Sequence, residues 1–316
     1  MTVVAAGLRH FTRVSELGAG ELEHVLELAV NLKESPARYE GALHGRTIAC
    51  IFEKPSTRTR VSFAAAAAEL GATPIALSPQ ELQIGRGETI ADTARSLSGY
   101  CAAIVVRTFA QRTVDELAAW STVPVINALS DEHHPCQALA DLLTIQETCG
   151  GLRGRRLAFL GDGGDNVAHS LLEAGALVGL DVAVACPQRY APARQILEDA
   201  EFAARTSGAR LTVDEDPAVA VREADAVYAD VWASMGEEAE HDVRAKALAP
   251  YQVTEELMAL AKPDAVFLHC LPAKRGEEVA AAVIDGPQSA VWLQSANRMP
   301  TEAALLLALT HGFESG

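Results

Sequence analysis

Basic residues are the minority charge in this chain: 26 Lys and Arg stand against 42 Asp and Glu, a formal net charge of −16. A surface that follows a phosphate backbone needs an excess of cations, so this balance argues against nucleic acid as a partner. It does not exclude a small anion, because salt screens distant charge and a local cluster of cations can prevail. Long apolar runs are missing too. No window approaches the ~20 residues that cross a bilayer, and the opening MTVVAAGLRHFTRV lacks the basic segment and apolar stretch of a signal peptide. The six cysteines (Cys50, Cys101, Cys136, Cys149, Cys186, Cys270) include no C-x-x-C pair, and most stand in apolar surroundings. They read as reduced, buried thiols rather than a disulfide framework. The expectation is a soluble cytoplasmic protein with no membrane partner. Aromatics are only 5% of 316 residues; with abundant alanine, this suits packed helices better than an all-β sandwich.

What is present is an alternation of short apolar runs and amphipathic segments. Strands are expected at 46–52, 73–78, 102–109 and 123–129, and then at 155–162, 181–187, 224–232, 264–272 and 289–295. Helices are expected between them, as at 61–71 and 88–100. Strands that are apolar almost throughout, separated by helices, indicate parallel sheets covered on both faces. The length allows two domains. The fold expected is α/β, two doubly wound parallel-sheet domains joined by a bridging helix at 134–151, which stops at Gly150-Gly151. A final apolar helix, 301–313, needs a packing partner.

Ligands of open parallel sheets bind beyond the carboxyl ends of strands, so the residues that follow each strand are the candidates for chemistry. FEKPSTRTRVSF, 52–63, concentrates Lys54, Arg58 and Arg60 among Ser56, Thr57 and Thr59. Pro55 keeps Lys54 out of a helix, and Ser56 or Thr57 is a good cap. Arginines at a helix start oppose the helix dipole. Free N–H groups, hydroxyls and a guanidinium there suit a phosphate, so an anion site is favoured over a solvated basic turn. Arg107 closes its strand; alone it does not decide between a ligand contact and an exposed end. His133-His134-Pro135-Cys136 has no partner pair at zinc-like spacing, and His134 with Gln137 suits hydrogen bonding to a ligand. GDGGDN, 161–166, has Asn166 where a dinucleotide fingerprint has its third glycine. The following strand ends at Cys186-Pro187 without a ribose-binding acid, which weighs against a NAD-dependent dehydrogenase and leaves a tight turn presenting Asn166. Asp230 and Cys270 end neighbouring strands if those strands pair, an acid and a thiol suited to an amine. Glu237, Glu238, Glu240 and Asp242 read as a solvated acidic loop.

Taken together, these residues resemble the aspartate/ornithine carbamoyltransferase family, and its ornithine branch most of all, from about His10 onward. Ser56-Thr57-Arg58-Thr59-Arg60 matches the family's carbamoyl-phosphate signature and His134-Pro135-Cys136-Gln137 its HPxQ motif. Asp230 to Gly236 matches D-x-W-x-S-M-G, and His269-Cys270-Leu271-Pro272 matches HCLP. The resemblance implies a carbamoyl-phosphate domain (1–133), an ornithine domain (134–296) and a C-terminal helix (297–316) returning to the first. It implies that Ser56, Thr57, Arg58, Thr59, Arg107, His134, Gln137, Cys270, Leu271 and Arg298 serve carbamoyl phosphate, with Gln83 reaching a neighbouring subunit's site. Asn166, Asp230, Ser234 and Met235 would hold L-ornithine, and Arg58, His134, Asp230 and Cys270 would be catalytic. A homo-oligomer, a trimer or a multiple of trimers, follows from the same resemblance, and neither metal nor organic cofactor is expected. A carbamoyltransferase for acetylornithine, putrescine or lysine is the alternative. The chain departs from the family pattern at Asp165, where an Asn is usual, at Lys274 in place of His, and at Ala296 and Pro300.

Overall fold

The computed structural model describes residues 9–84, 87–233 and 240–313. The chain forms two compact units. One comprises the described residues up to Leu139 and those from Arg298 onward; the other runs from Ala140 to Asn297.

In the first unit, helix α1 (Ala19–Glu34) precedes β1 (Thr47–Phe52), α2 (Thr57–Glu69), β2 (Thr73–Leu77), α3 (Ile90–Ser98), β3 (Ala103–Arg107), α4 (Gln111–Trp120) and β4 (Val125–Leu129). All pairings are parallel, in the order β2-β1-β3-β4. The central strands are apolar because helices cover both faces: all five residues of β3 are buried. Ile51, Ile104, Val106 and Val125 pack with Ala94 of α3 and with Val114 and Leu117 of α4. Edge strand β2 is largely exposed.

Helix α5 (Pro135–Cys149) begins on a proline, which suits the first helical position because its missing N–H has no partner to lose. The helix passes the unit boundary after Leu139. The second unit follows with β5 (Arg156–Leu160), α6 (Asn166–Val178), β6 (Asp181–Ala185), α7 (Arg194–Ser207), β7 (Leu211–Asp214), α8 (Pro217–Val221), β8 (Ala226–Ala229), α9 (His241–Leu248), α10 (Glu255–Met258), β9 (Val266–Leu268) and α11 (Ala281–Ile284). Its five parallel strands run β7-β6-β5-β8-β9. Helix α6 is almost wholly buried and stops where Gly179 takes the left-handed conformation, φ 79°.

Helix α12 (Val291–His311) corrects the reading of 289–295 as a strand. Ser289 makes one isolated parallel bridge to Phe267, and the helix starts two residues later. Val291 and Gln294 are buried while Trp292 and Leu293 are exposed, the three-residue spacing of a helix face rather than the alternation of a strand. The final helix therefore begins ten residues before the expected 301 and runs through Pro300. From Arg298 onward it belongs to the first unit, so the apolar tail packs there. The strand that was missed, β7, is an edge strand with three of its four residues exposed; its sequence carries no apolar run.

Candidate active site

In the first sheet the strand order reverses between β1 and β3, whose carboxyl ends pair Phe52 with Arg107. The topology thus sets α2 and Arg107 side by side. Ser56 is the N-cap of α2: its hydroxyl accepts from the Thr59 N–H at 3.2 Å. Thr57 is exposed, Arg58 half-buried and Thr59 buried. Lys54 is buried with its Nζ 4.6 Å over the Phe109 ring, and Arg60 lies over Phe52. Arg107 is also buried.

His134 stands just before α5, its carbonyl accepting from the Gln137 and Ala138 N–H groups. Burial, then the cations of Arg298, Arg107 and Arg58, hold its imidazole well below the ordinary 6.5. Three guanidiniums from three elements therefore act on one neutral histidine. The Arg298 fork is held from several sides: Nη1 donates to Gln137 Oε1 at 2.8 Å and Nη2 to Thr59 Oγ1 at 3.2 Å. Nε and Nη2 both donate to Glu302 Oε1, at 3.0 and 2.8 Å. Ser56, Thr59, Arg58, Arg107, His134, Gln137 and Arg298 thus form one cationic group in the first unit, buried except at Ser56 and Arg58.

The second sheet reverses between β5 and β8. Leu160 pairs with Ala229 and Tyr228 with Leu268, so Asp162, Asp230 and Cys270 all follow neighbouring strand ends. The Cys270 thiol donates to Asp230 Oδ1 at 3.0 Å. Burial raises the Asp230 carboxyl, against the pull of His269 and the Cys270 bond. Burial and Asp230 hold the Cys270 thiol well above its ordinary range. His269 Nδ1 accepts from the Leu271 N–H at 2.8 Å, and its Nε2 lies 3.3 Å from Glu278 Oε1. Ligand atoms of Asp230, His269 and Cys270 lie within 4.8 Å of one another, and His269 Nδ1 already accepts from the Leu271 N–H.

The glycine turn has a packing cause. A Cβ on Gly163 would meet Cys186 Sγ and Tyr190 O at 2.9 Å, so the turn presses on the loop after β6. Asp165 is the N-cap of α6, accepting from the Val167 N–H at 2.7 Å, and Asn166 opens the helix, buried. The departure at Asp165 is thus absorbed as a cap, a role open to Asp and Asn alike. Asp162 binds Arg244 of α9, which also donates to the Trp232 carbonyl. Lys274, the other charged departure, is exposed and lies 3.4 Å from Glu277.

Leu271 is half-buried with φ 59°, beside Cys270. Gln83 is exposed on the loop after β2. Ser234 and Met235 lie outside the described residues, as do Glu237 and Glu238 of the expected acidic loop. Glu302 and Glu278 escaped the sequence reading. Glu278 is fully buried and accepts from the Lys274 N–H. Glu302 had one available signal: it follows Arg298 by four residues on a helix.

Residues 9–147 match the family model described as the carbamoyl-P binding domain of aspartate/ornithine carbamoyltransferase, and residues 153–309 match its Asp/Orn binding domain. The chain is 52% identical over 303 residues to an ornithine carbamoyltransferase of Anoxybacillus flavithermus, covering 95% of this chain and 96% of that protein. It is 49% identical over 306 residues to the one from Bacillus subtilis, covering 96% and 94%. The solved structure of an ornithine carbamoyltransferase from Pyrococcus furiosus superposes with a TM-score of 0.93 at 48% identity, covering 98% of this chain and 99% of that one.

Proposed function

The chain belongs to the aspartate/ornithine carbamoyltransferase family, and on that premise we propose that it transfers the carbamoyl group of carbamoyl phosphate to the δ-amine of L-ornithine, giving L-citrulline and phosphate. The observation that carries the reading is the convergence of Arg58, Arg107 and Arg298 on a neutral His134, beside the N-terminus of α2.

Carbamoyl phosphate is the ligand of this first group. Ser56, Thr57, Arg58 and Thr59 meet the phosphoryl oxygens with N–H groups, hydroxyls and a cation, and Arg107 and Arg298 add charge. His134, neutral and donating, and Gln137 meet the carbamoyl end. As the amine attacks the carbamoyl carbon, negative charge grows on the carbonyl oxygen and then passes to the leaving phosphate. Donors fixed before the reaction stabilise that charge without reorganising.

Ornithine is the ligand of the second group. A free alkylammonium has a pKa of about 10.4 and is not nucleophilic at neutral pH. Asp230, with Cys270 donating to one oxygen, receives the hydrogens of the amine and orients its lone pair; Asn166, Ser234 and Met235 hold the α-amino and carboxylate groups. The second unit serves ornithine and the first carbamoyl phosphate. Exposed Gln83 is assigned to a neighbouring subunit's site, in a trimer or multiple of trimers. The six free thiols support residence in the reducing cytoplasm. No described helix is long and apolar enough to cross a membrane.

The test is citrulline release by the purified chain from carbamoyl phosphate and ornithine, with lysine, putrescine, acetylornithine and aspartate as competing amines. Turnover with ornithine alone is expected. Faster turnover with any of the others would displace the reading.

A further inference from the structure

We propose that Glu302 is a positioning residue that sets how much of the Arg298 charge is offered to the phosphoryl dianion, and that it takes up a proton when the dianion binds. The inference deepens, and rests on, the assignment of the first group to carbamoyl phosphate.

The geometry is a fork with three anchors. Arg298 reaches Gln137 on α5, Thr59 on α2 and Glu302 one turn along its own helix. Its side chain is 3% exposed and that of Glu302 1%. Oε1 of Glu302 takes two of the guanidinium's bonds, so this carboxyl fixes the plane of the fork. The same cation is the natural partner of an arriving phosphate. Two anions sharing one cation away from water repel strongly, and the lower-cost outcome is that the weaker acid becomes neutral.

Glu302 is prepared for that role. Burial pushes its carboxyl up to about 7, against the pull of Arg298 and of Ser62. The other titratable groups that feel it are the thiols of Cys50 on β1 and Cys136 on α5. Burial raises both, Cys50 to about 12, so they are uncharged at neutral pH. Arg60 acts on Cys50, and Arg58 and Arg107 act on His134. A dianion that draws on Arg298 removes the main force keeping Glu302 ionised. The protonated form then leaves the guanidinium's full charge to the ligand. Dianion affinity therefore rises as pH falls through 7, beyond any change in the ligand's own ionisation.

The experiment is calorimetric titration of the full chain with phosphonoacetamide, in paired buffers of different ionisation enthalpy at about pH 7. The heat difference counts protons. Wild type is expected to take up about 0.4 proton more than Glu302→Gln, because a group near its pKa is about half ionised before binding. Equal counts overturn the inference, since a purely structural ion pair would change the melting temperature but not the proton count. Should Glu302→Gln fail to fold, wild type alone decides. Its count, corrected for the phosphonate, must peak near about pH 7–8 and decline on both sides; a flat profile overturns the inference. If phosphonoacetamide does not bind at all, the carbamoyl-phosphate assignment falls with it; binding with equal counts removes only the role of Glu302.

Discussion

Cys270 donates its thiol hydrogen to Asp230 Oδ1 across 3.0 Å, tying together the loops that follow β9 and β8. Burial and the neighbouring carboxylate hold the thiol well above its ordinary range, so it remains protonated at neutral pH and acts as a donor. Cys270→Ser keeps a donor; Cys270→Ala leaves a buried carboxylate one bond short. A hydrogen bond to a charged group is worth about 1.5–3 kcal/mol, so kcat is expected to fall about ten- to hundredfold in the alanine variant and much less in the serine variant. The bond lowers Asp230. Its loss raises that carboxyl further, and the acid limb of the pH–rate profile moves to higher pH. An alanine variant with wild-type kcat and an unmoved acid limb would remove Cys270 from the mechanism.

In the proposed reaction Arg58 would stabilise charge on the leaving phosphate. Arg58→Gly removes one preorganised cation from the α2 N-terminus. Loss of one such donor is expected to cost about 10²–10³ in kcat, about 3–4 kcal/mol of barrier. The KM for ornithine should change far less, since Asn166 and Asp230 belong to the second unit. Steady-state kinetics with each substrate varied in turn separates the two effects. Near-normal kcat would mean that the basic segment binds without catalysing.

The sequence pattern located every described strand but β7, and the candidate residues at their carboxyl ends, for a physical reason. Buried parallel strands such as β3 are apolar up to their last residue, Arg107, and chemistry follows their carboxyl ends, so a strand end plus a polar residue is already an address. What escaped lacks that signature. β7 is exposed at the sheet edge and carries LTVD instead of an apolar run. Val291 to Ser295 is too short and too apolar for its period to separate strand from helix until the next turns are added. Glu302 and Glu278 are buried acids; the partner of Glu278, His269, is brought to it by the fold, while that of Glu302, Arg298, stands one turn before it on the same helix.

The glycine turn after β5 offers a test of positioning without touching a polar group. In Gly163→Ala the new methyl would stand 2.9 Å from Cys186 Sγ and from the Tyr190 carbonyl, and 3.0 Å from Pro192 Cδ. Two of these neighbours are backbone or ring atoms, so the turn must move, and Asp165 and Asn166 move with it. Overpacking of this kind costs about 1–3 kcal/mol. Urea unfolding should show that loss. Kinetics should show a raised KM for ornithine with the KM for carbamoyl phosphate little changed. Equal effects on both would mean that the turn supports the whole fold rather than the Asn166 position.

His134 gives a prediction whose sign is fixed by linkage. Burial, then Arg298, Arg107 and Arg58, depress its pKa far below the ordinary 6.5 in the folded chain. Below that ordinary value the unfolded chain binds a proton that the folded chain refuses, so acid favours unfolding. The contribution is nil above about pH 7 and grows to about 1.4 kcal/mol of lost stability for each pH unit below about 6.5. In His134→Gln this dependence is gone. Urea unfolding of both proteins at about pH 7.5, 6.5 and 5.5 should show the stability difference constant at the higher values. It should then turn against wild type at the lowest. A difference that stays flat to the lowest pH would mean that the folded site protonates the imidazole as readily as the unfolded chain does, and that burial and the three guanidiniums do not hold it neutral.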